Sequence, residues 1–149
     1  RWEFAQDTAG AGKWRGASGI HWEVENVGGD AGIATGSSDG EIVRAPGALG
    51  GEPTPNSRSF LTRDGKTERI RGHRLYQLKP CDVILKISGG GAGVGNPVER
   101  DPELVRMDVV KEFISVEKAR EMYKVVIDPV TLEIDKDKTA QLRSQGKQP

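Results

Sequence analysis

Short alternations of apolar and polar residues, cut by glycine pairs, fill roughly the first 85 residues of the chain. In the segment Ile20–Val24 every second residue is apolar and the ones between are polar, which is typical of a strand with one buried and one wet face. Asp39-Gly40 and Asp64-Gly65 are predicted hairpin turns, because these residue types suit the tight turns between antiparallel strands. The region therefore predicts antiparallel strands joined by turns.

One irregular stretch, Ala45–Asn56, interrupts this pattern. Its closely spaced prolines and glycines rule out regular structure: Pro46, Gly47, Gly50, Gly51, Pro53 and Pro55. An irregular segment of this length is a candidate docking surface. On either side of it, further strands are predicted at Ile42-Val43, Phe60–Thr62, Glu68–Ile70 and Val83–Leu85.

The apolar period becomes helical after residue 100. Asp101 is a predicted N-cap, Pro102 suits the first turn and Glu103 is favourable beside the helix N-terminus, so a helix is expected over 102–112. Ser115 caps a second short helix, expected over 115–122. A last strand is predicted over 123–128, and the polar residues 136–149 predict a tail or a poorly anchored helix.

These elements define the expected architecture. The fold class is α+β and mainly β, with glycine-rich antiparallel strands in a barrel-like or sandwich-like arrangement, one or two short C-terminal helices and a last strand. We expect one domain over residues 1–130 and a polar tail over 131–149.

A glycine-rich loop, Ser88–Pro97, connects the strand at Val83 to the first helix. Glycine permits positive φ and close backbone approach, so we expect this loop to act through its backbone geometry. The spacing does not match a dinucleotide-binding fingerprint, and neither Gly12-Lys13 nor Gly65-Lys66 completes a phosphate-binding P-loop. The candidate site-lining or interface residues are Gly89, Gly90, Gly91, Gly93, Gly95, Asn96 and Arg100.

Composition narrows the classes of partner. The 149 residues include 22 basic and 22 acidic side chains, so no overall field draws the chain to nucleic acid or to a membrane. The apolar runs are far shorter than the roughly 20 residues that span a bilayer. One cysteine fits a reducing compartment, and cytoplasm is the expected location. Because glycine buries no side chain, the 20 glycines predict a small core, and we expect the domain to need a larger partner for stability. The start at Arg1 suggests that some N-terminal residues are missing from this sequence.

Side chains that could carry chemistry are few. His21 and His73, expected on strands, lack the paired spacing of a zinc motif. Cys81 would be a nucleophile only beside a histidine, and as an expected half-buried thiol next to Pro80 at a strand entrance it is interpreted as structural. Arg100 is predicted to make an ion pair or hydrogen bond between segments. We assign no catalytic, cofactor-binding or metal-binding residue to this chain.

Four motifs in a fixed order carry a family resemblance: residues 7–16, the glycines of 89–97, Glu99–Val105 and Ser115–Tyr123. Together they resemble the C-terminal end of hydantoinase B-type proteins, a family that includes N-methylhydantoinase and 5-oxoprolinase components and large subunits of ATP-dependent ketone carboxylases. The resemblance extends over residues 2–130. As a separate chain of this length, the protein looks most like the small beta subunit of acetophenone carboxylases.

This resemblance implies a structural, non-catalytic subunit in a hetero-oligomeric ketone carboxylase that forms a C–C bond with bicarbonate. The implied partners are a large hydantoinase B-type subunit and a kinase-type, hydantoinase A-like subunit, with ATP and a divalent metal on those partners. Two alternatives stay open: a part of an ATP-dependent hydantoinase or oxoprolinase-type amidohydrolase, and a stand-alone small-ligand module.

The chain departs from the family pattern at several positions. Val94 replaces an aromatic residue, Asn96 an aspartate and Lys124 a glycine, while Ala9 and Ala17 also stand where glycines are expected. If the aspartate of relatives binds a metal or a proton, the neutral amide of Asn96 is not expected to take over that role. The resemblance therefore transfers no catalytic role to the glycine loop.

Overall fold

The computed structural model describes residues 1–34 and 40–145. Asp39 of the predicted Asp39-Gly40 turn lies outside these ranges. The strands are β1 (Trp2–Ala5), β2 (Gly19–Glu25), β3 (Ala31–Ala34), β4 (Arg58–Arg63), β5 (Lys66–Ile70), β6 (Leu75–Leu78) and β7 (Val83–Ile87).

Antiparallel pairing builds two sheets from these strands. The larger sheet has the order β1-β2-β7-β4-β5, and the smaller one pairs β3 with β6. Asp64 and Gly65 form the turn between β4 and β5, with φ of 49° and 72°. Two consecutive positive φ angles suit a two-residue hairpin, so the predicted turn is confirmed.

A small apolar core joins the two sheets. Its buried residues are Leu61, Ile70, Leu78 and Ile84, with Trp22, Ile33 and Tyr76 packed against them. Because strands of both sheets contribute to this cluster, the arrangement is a small sandwich.

Helices follow the sheets, as the sequence predicts. A 3₁₀ turn covers Pro97–Glu99, and the α-helices are α1 (Pro102–Val110), α2 (Val116–Tyr123) and α3 (Lys136–Gln145). The Asp101 side chain accepts a hydrogen bond from the Glu103 N–H at 2.8 Å, and Ser115 Oγ accepts one from the Lys118 N–H at 3.1 Å. Both predicted caps are confirmed.

A second core lies among the helices. Val105, Ala119, Tyr123 and Val125 are its most buried members. Leu132 and Ile134 pack against it from the segment before α3. The α+β class with mainly antiparallel strands is confirmed, with three C-terminal helices where one or two were predicted.

Three local predictions differ from the structure. Residues 123–128 form no strand, because Tyr123 ends α2 and only an isolated bridge joins Ile127 to Ile134. Residues 42 and 43 lie in a bend. His73 lies between β5 and β6 with a φ of 55°, which does not fit an extended strand.

The polar residues 136–145 form α3, and this helix is anchored. Arg143 Nη2 donates to the Arg100 carbonyl at 2.7 Å and to the Tyr123 carbonyl at 3.2 Å. Thr139 is buried and accepts a hydrogen bond from the Val126 N–H. Polar contacts hold α3, which explains why the sequence shows no apolar stripe there.

Across the described ranges, no helix combines the length and apolar character needed to cross a membrane.

Candidate functional site

Three separate stretches of backbone meet at the glycine loop: residues 8–19, 45–57 and 88–96. We call this assembly the glycine junction. Val94 and Trp14 exchange two backbone hydrogen bonds of 2.9 Å, and Ala48 forms a parallel bridge to Val94. The loop is therefore the middle strand of a short three-stranded contact.

Side chains would not fit at the centre of the junction. A Cβ at Gly93 would lie 1.9 Å from the Ala11 carbonyl oxygen, and one at Gly90 would lie 2.0 Å from the Ala17 carbonyl oxygen. Real Cβ atoms do not approach carbonyl oxygens this closely. Glycine is required here because the neighbouring backbones pack directly against it.

The backbone N–H groups of the loop are engaged within the chain. Gly90 donates to the Thr8 carbonyl at 2.7 Å, and Gly93 donates to the Glu52 carbonyl at 2.9 Å. The N–H groups of the remaining loop glycines also donate within the chain. Gly89 donates to the Ser57 hydroxyl, Gly91 to the Ala17 carbonyl and Gly95 to the Ala48 carbonyl. A phosphate-binding loop needs such N–H groups directed at its ligand. Those of the junction serve to join segments, and a role in lining a site or partner interface stays a prediction.

Asn96 and Arg100 follow the loop and have distinct structural roles. Asn96 Oδ1 accepts a hydrogen bond from the Val98 N–H at 3.0 Å and so caps the 3₁₀ turn. Arg100 donates to the Lys13 carbonyl at 3.0 Å and to Asp108 at 2.9 Å. The predicted role of Arg100 as a donor between segments is confirmed.

A charged cluster, consisting of Arg15, Arg100 and Asp108, lies beside the junction. Arg15 forms a two-pronged pair with Asp108, in which its Nε and Nη2 atoms each lie 3.1 Å from a carboxylate oxygen. The exposed fractions of the three side chains are 14%, 11% and 9%, respectively. The Arg15 guanidinium also lies 5.0 Å from the centre of the Phe113 ring. One carboxylate thus joins the N-terminal segment, the loop exit and α1.

Sequence reasoning missed Asp108 and its pairing with Arg15. A signal was present, because Asp108 occupies the buried face of α1 together with Val105 and Val109. An acidic residue on the apolar face of a helix indicates a buried charge partner. The partner itself is 93 residues away in sequence, which no local pattern reveals.

Tyr123 lies in the helical core and connects to the same cluster. Burial is the main reason that the pKa of the Tyr123 phenol is raised, and the nearby charge of Asp108 raises it further. The charges of Arg100 and Arg15 and a backbone hydrogen bond from Gly12 act in the opposite direction. At 1% exposed, the ring is closed to solvent. Tyr123 is therefore a core residue that packs the junction against α2.

A second buried carboxylate stabilises the sheet. Asp82 accepts hydrogen bonds from Arg63 Nε at 3.0 Å and from the Lys79 N–H at 2.8 Å. The hydrogen bond from Arg63 is the main reason that the pKa of Asp82 is lowered from its ordinary value. This contact connects β4 to the turn before β7.

The histidines and the cysteine lie apart from one another. His21 is on β2, with Nδ1 3.6 Å from a Glu3 oxygen, whereas His73 follows β5 and Cys81 is exposed. Among residues 1–34 and 40–145, no group of three His, Cys, Asp or Glu side chains is arranged to hold a metal ion.

Comparison with known proteins identifies the family. The family described as Hydantoinase B/oxoprolinase matches residues 1–97. Over 133 residues the chain is 30% identical to caprolactamase subunit beta of Pseudomonas jessenii, an alignment covering 86% of this chain. It is 34% identical over 85 residues to the acetophenone carboxylase delta subunit of Aromatoleum aromaticum, with 56% of this chain covered. The chain belongs to the hydantoinase B/oxoprolinase family.

Solved structures show the same fold. The ATP-dependent caprolactamase from Pseudomonas jessenii matches 97% of this chain with a TM-score of 0.78 and 30% identity. Nucleotide-free acetone carboxylase matches 98% of it with a TM-score of 0.77 and 19% identity, which shows the fold alone. The chain spans only 23% of the caprolactamase subunit and 12% of the acetophenone carboxylase subunit.

Proposed function

We propose that this member of the family is a structural, non-catalytic part of a larger ATP-dependent enzyme, in which it completes a hydantoinase B-type unit. The observation that carries the proposal is the glycine junction, whose loop N–H groups are bonded to the chain's own oxygen atoms. A loop closed in this way joins segments and presents no cradle for a phosphate.

ATP and a divalent metal belong, in this proposal, to partner subunits. Neither the junction nor the described acidic side chains fit these groups, because the loop amides already have acceptors and no suitable metal-ligand group is arranged. A kinase-type, hydantoinase A-like subunit would supply the phosphorylation. The present chain would contribute a rigid wall against the large hydantoinase B-type subunit.

For the reaction of the whole assembly, the first candidate is carboxylation of an aromatic ketone with bicarbonate. In this candidate the chain is equivalent to the small beta subunit of an acetophenone carboxylase. The 34% identity to an acetophenone carboxylase subunit supports the class, although the aligned part is only 85 residues.

The second candidate is ATP-dependent opening of a cyclic amide. The alignment with caprolactamase subunit beta supports it, because that match covers 86% of this chain and the corresponding structure reaches a TM-score of 0.78. A stand-alone ligand-binding module receives no comparable support, since the matched relatives are much longer.

Purification of the untagged protein from its source, followed by native mass spectrometry, tests the structural role. We expect the chain in a complex with hydantoinase B-type and kinase-type subunits. A stable monomer without these partners would overturn the proposal.

The same preparation separates the two candidate reactions. ATP-dependent incorporation of labelled bicarbonate with acetophenone supports the carboxylase, and ATP-dependent ring opening of caprolactam or a hydantoin supports the amidohydrolase. Each substrate is assayed with and without ATP, so that slow ATP-independent hydrolysis is subtracted.

A further inference from the structure

The central strand β7 has apolar side chains on both faces of the larger sheet. Its sequence, Val83-Ile84-Leu85-Lys86-Ile87, is a nearly continuous apolar run, which is typical of a strand covered on both sides. Ile84 faces the sheet core and is 1% exposed. Val83, Leu85 and Ile87 alternate with it, are partly exposed and belong to neither core cluster.

Phe60 enlarges this second apolar surface. It lies directly opposite Leu85 in the pairing of β4 with β7, and it is also partly exposed and outside both core clusters. We call Phe60, Val83, Leu85 and Ile87 the open sheet face. A face with four large apolar side chains at the middle of a sheet normally carries a second layer.

Charged residues border the open sheet face with opposite signs on its two sides. The strand register places Glu3, Glu23 and Glu25 on the side of β1 and β2. On the other side it places Arg58 on β4 and Arg69 on β5, and Arg69 Nη2 lies 4.0 Å from a carboxylate oxygen of Glu41. A partner would therefore need basic residues along one border and acidic residues along the other.

A cavity of about 700 Å³ lies at the Ile87 end of the open sheet face. Phe4 and Phe113 contribute aromatic walls, and the rest of the lining is mainly polar or charged: Arg1, Glu3, Gln6, His21, Arg58, Lys111 and Glu112, beside Ala5 and Ile87. A concave site with two aromatic walls and a polar lining suits a large anchoring side chain that has an apolar body and a polar tip.

We propose that an amphipathic helix of the hydantoinase B-type partner lies along the open sheet face and inserts a large side chain with an apolar body and a polar tip into this cavity. The inference rests on the proposed function. Most of the caprolactamase subunit lies outside the region matched by this chain, which supplies only 23% of its length. The helix has an apolar stripe over β7, basic residues facing Glu23 and Glu25, and an acidic residue facing Arg58.

Charge reversal on the acidic border tests this docking geometry. The variant combines Glu23→Lys with Glu25→Lys, and native mass spectrometry of the complex across a dilution series measures how much of the chain stays bound to the hydantoinase B-type subunit. We expect an affinity loss of at least about tenfold, because like charges would face each other across the interface. The matched control combines Glu117→Lys with Glu121→Lys on exposed positions of α2 and should bind as the unmodified chain does.

Hydroxyl-radical footprinting provides a test without substitutions. In the complex, Phe60, Leu85 and Ile87 should be strongly protected relative to the free chain, whereas exposed Val130 should react equally in both. If the complex forms while these three side chains stay reactive and the charge-reversed chain still binds, the docking site is wrong although the proposed function stands. A homodimer that protects the same face would also overturn the inference. If the unmodified chain purifies without a hydantoinase B-type subunit, both the docking inference and the proposed function are overturned.

Discussion

The glycine junction and the charged cluster both join distant segments, but they do so by opposite means. In the junction, backbone packs on backbone, and a Cβ at Gly93 would lie 1.9 Å from a carbonyl oxygen. In the charged cluster, three long or polar side chains meet, with Asp108 between Arg15 and Arg100. The first contact depends on the absence of side chains and the second on their presence.

This difference determines which substitutions each region tolerates. At Gly90 and Gly93 the junction has no room for added atoms, so even a methyl group must displace backbone there. The cluster has little exposed surface, so removal of one charge leaves the others without compensation in a poorly solvated place. Size should therefore decide the outcome in the junction, and charge should decide it in the cluster.

The largest effect is expected for Gly93→Ala. The added methyl group would overlap the Ala11 carbonyl, so the two segments must separate, and we expect a loss of about 3 kcal/mol or more in the free energy of unfolding. Urea unfolding followed by circular dichroism measures this change.

Two other glycines calibrate that result. Gly91→Ala should cost less than Gly93→Ala, because its closest neighbour would be 3.1 Å away instead of 1.9 Å. Gly29→Ala is the matched control, since nothing lies within 4 Å of the added atom, and should stay within about 0.5 kcal/mol of the unmodified chain. Equal effects at all three positions would contradict the packing argument.

Asp108→Asn should have the next largest effect. The substitution keeps the shape of the side chain but leaves Arg15 and Arg100 without their shared carboxylate, and we expect a loss of about 3 kcal/mol. The control is Glu103→Gln, whose side chain is 60% exposed in its pair with Arg106 and should contribute about 0.5 kcal/mol or less. If both variants unfold at the same urea concentration, the cluster does not stabilise the fold.

Much of this architecture is predictable from local sequence. The Asp64-Gly65 turn, the caps at Asp101 and Ser115 and the donor role of Arg100 depend on a few neighbouring residues, and each is confirmed. The local run of glycines in residues 88–97 likewise indicates a loop that acts through its backbone geometry.

Other features depend on contacts between distant residues and escaped prediction. The pairing of Arg15 with Asp108 joins residues that are 93 positions apart, and the glycine junction holds the segment around residue 15 in the folded chain. Likewise, α3 is held by the Arg143 guanidinium on two carbonyls and not by an apolar stripe. A helix anchored through polar atoms resembles a tail when only its hydrophobicity is considered.

Arg143→Met should loosen α3 without unfolding the rest. Methionine keeps the apolar stem but loses the hydrogen bonds to the Arg100 and Tyr123 carbonyls, which we expect to cost about 1 to 2 kcal/mol. Hydrogen–deuterium exchange should accelerate in α3 more than in β7. Arg120→Met, at an exposed position of α2, is the control and should leave the exchange of α3 unchanged.

The smallest effect is expected for the pH dependence of stability. A fall in pH should weaken ionic contacts while leaving the uncharged glycine junction intact. The Arg63 contact lowers the pKa of Asp82 below its ordinary value of 3.8, so its stabilising contribution is present above that value. The contribution disappears as the pH falls through the lowered pKa, because protonation removes the charge that Arg63 binds. Asp82→Asn should therefore make the urea midpoint fall less steeply between about pH 5 and pH 3. Arg63→Met should flatten the same slope, and an unchanged slope in both variants would show that this pair does not govern the acid response.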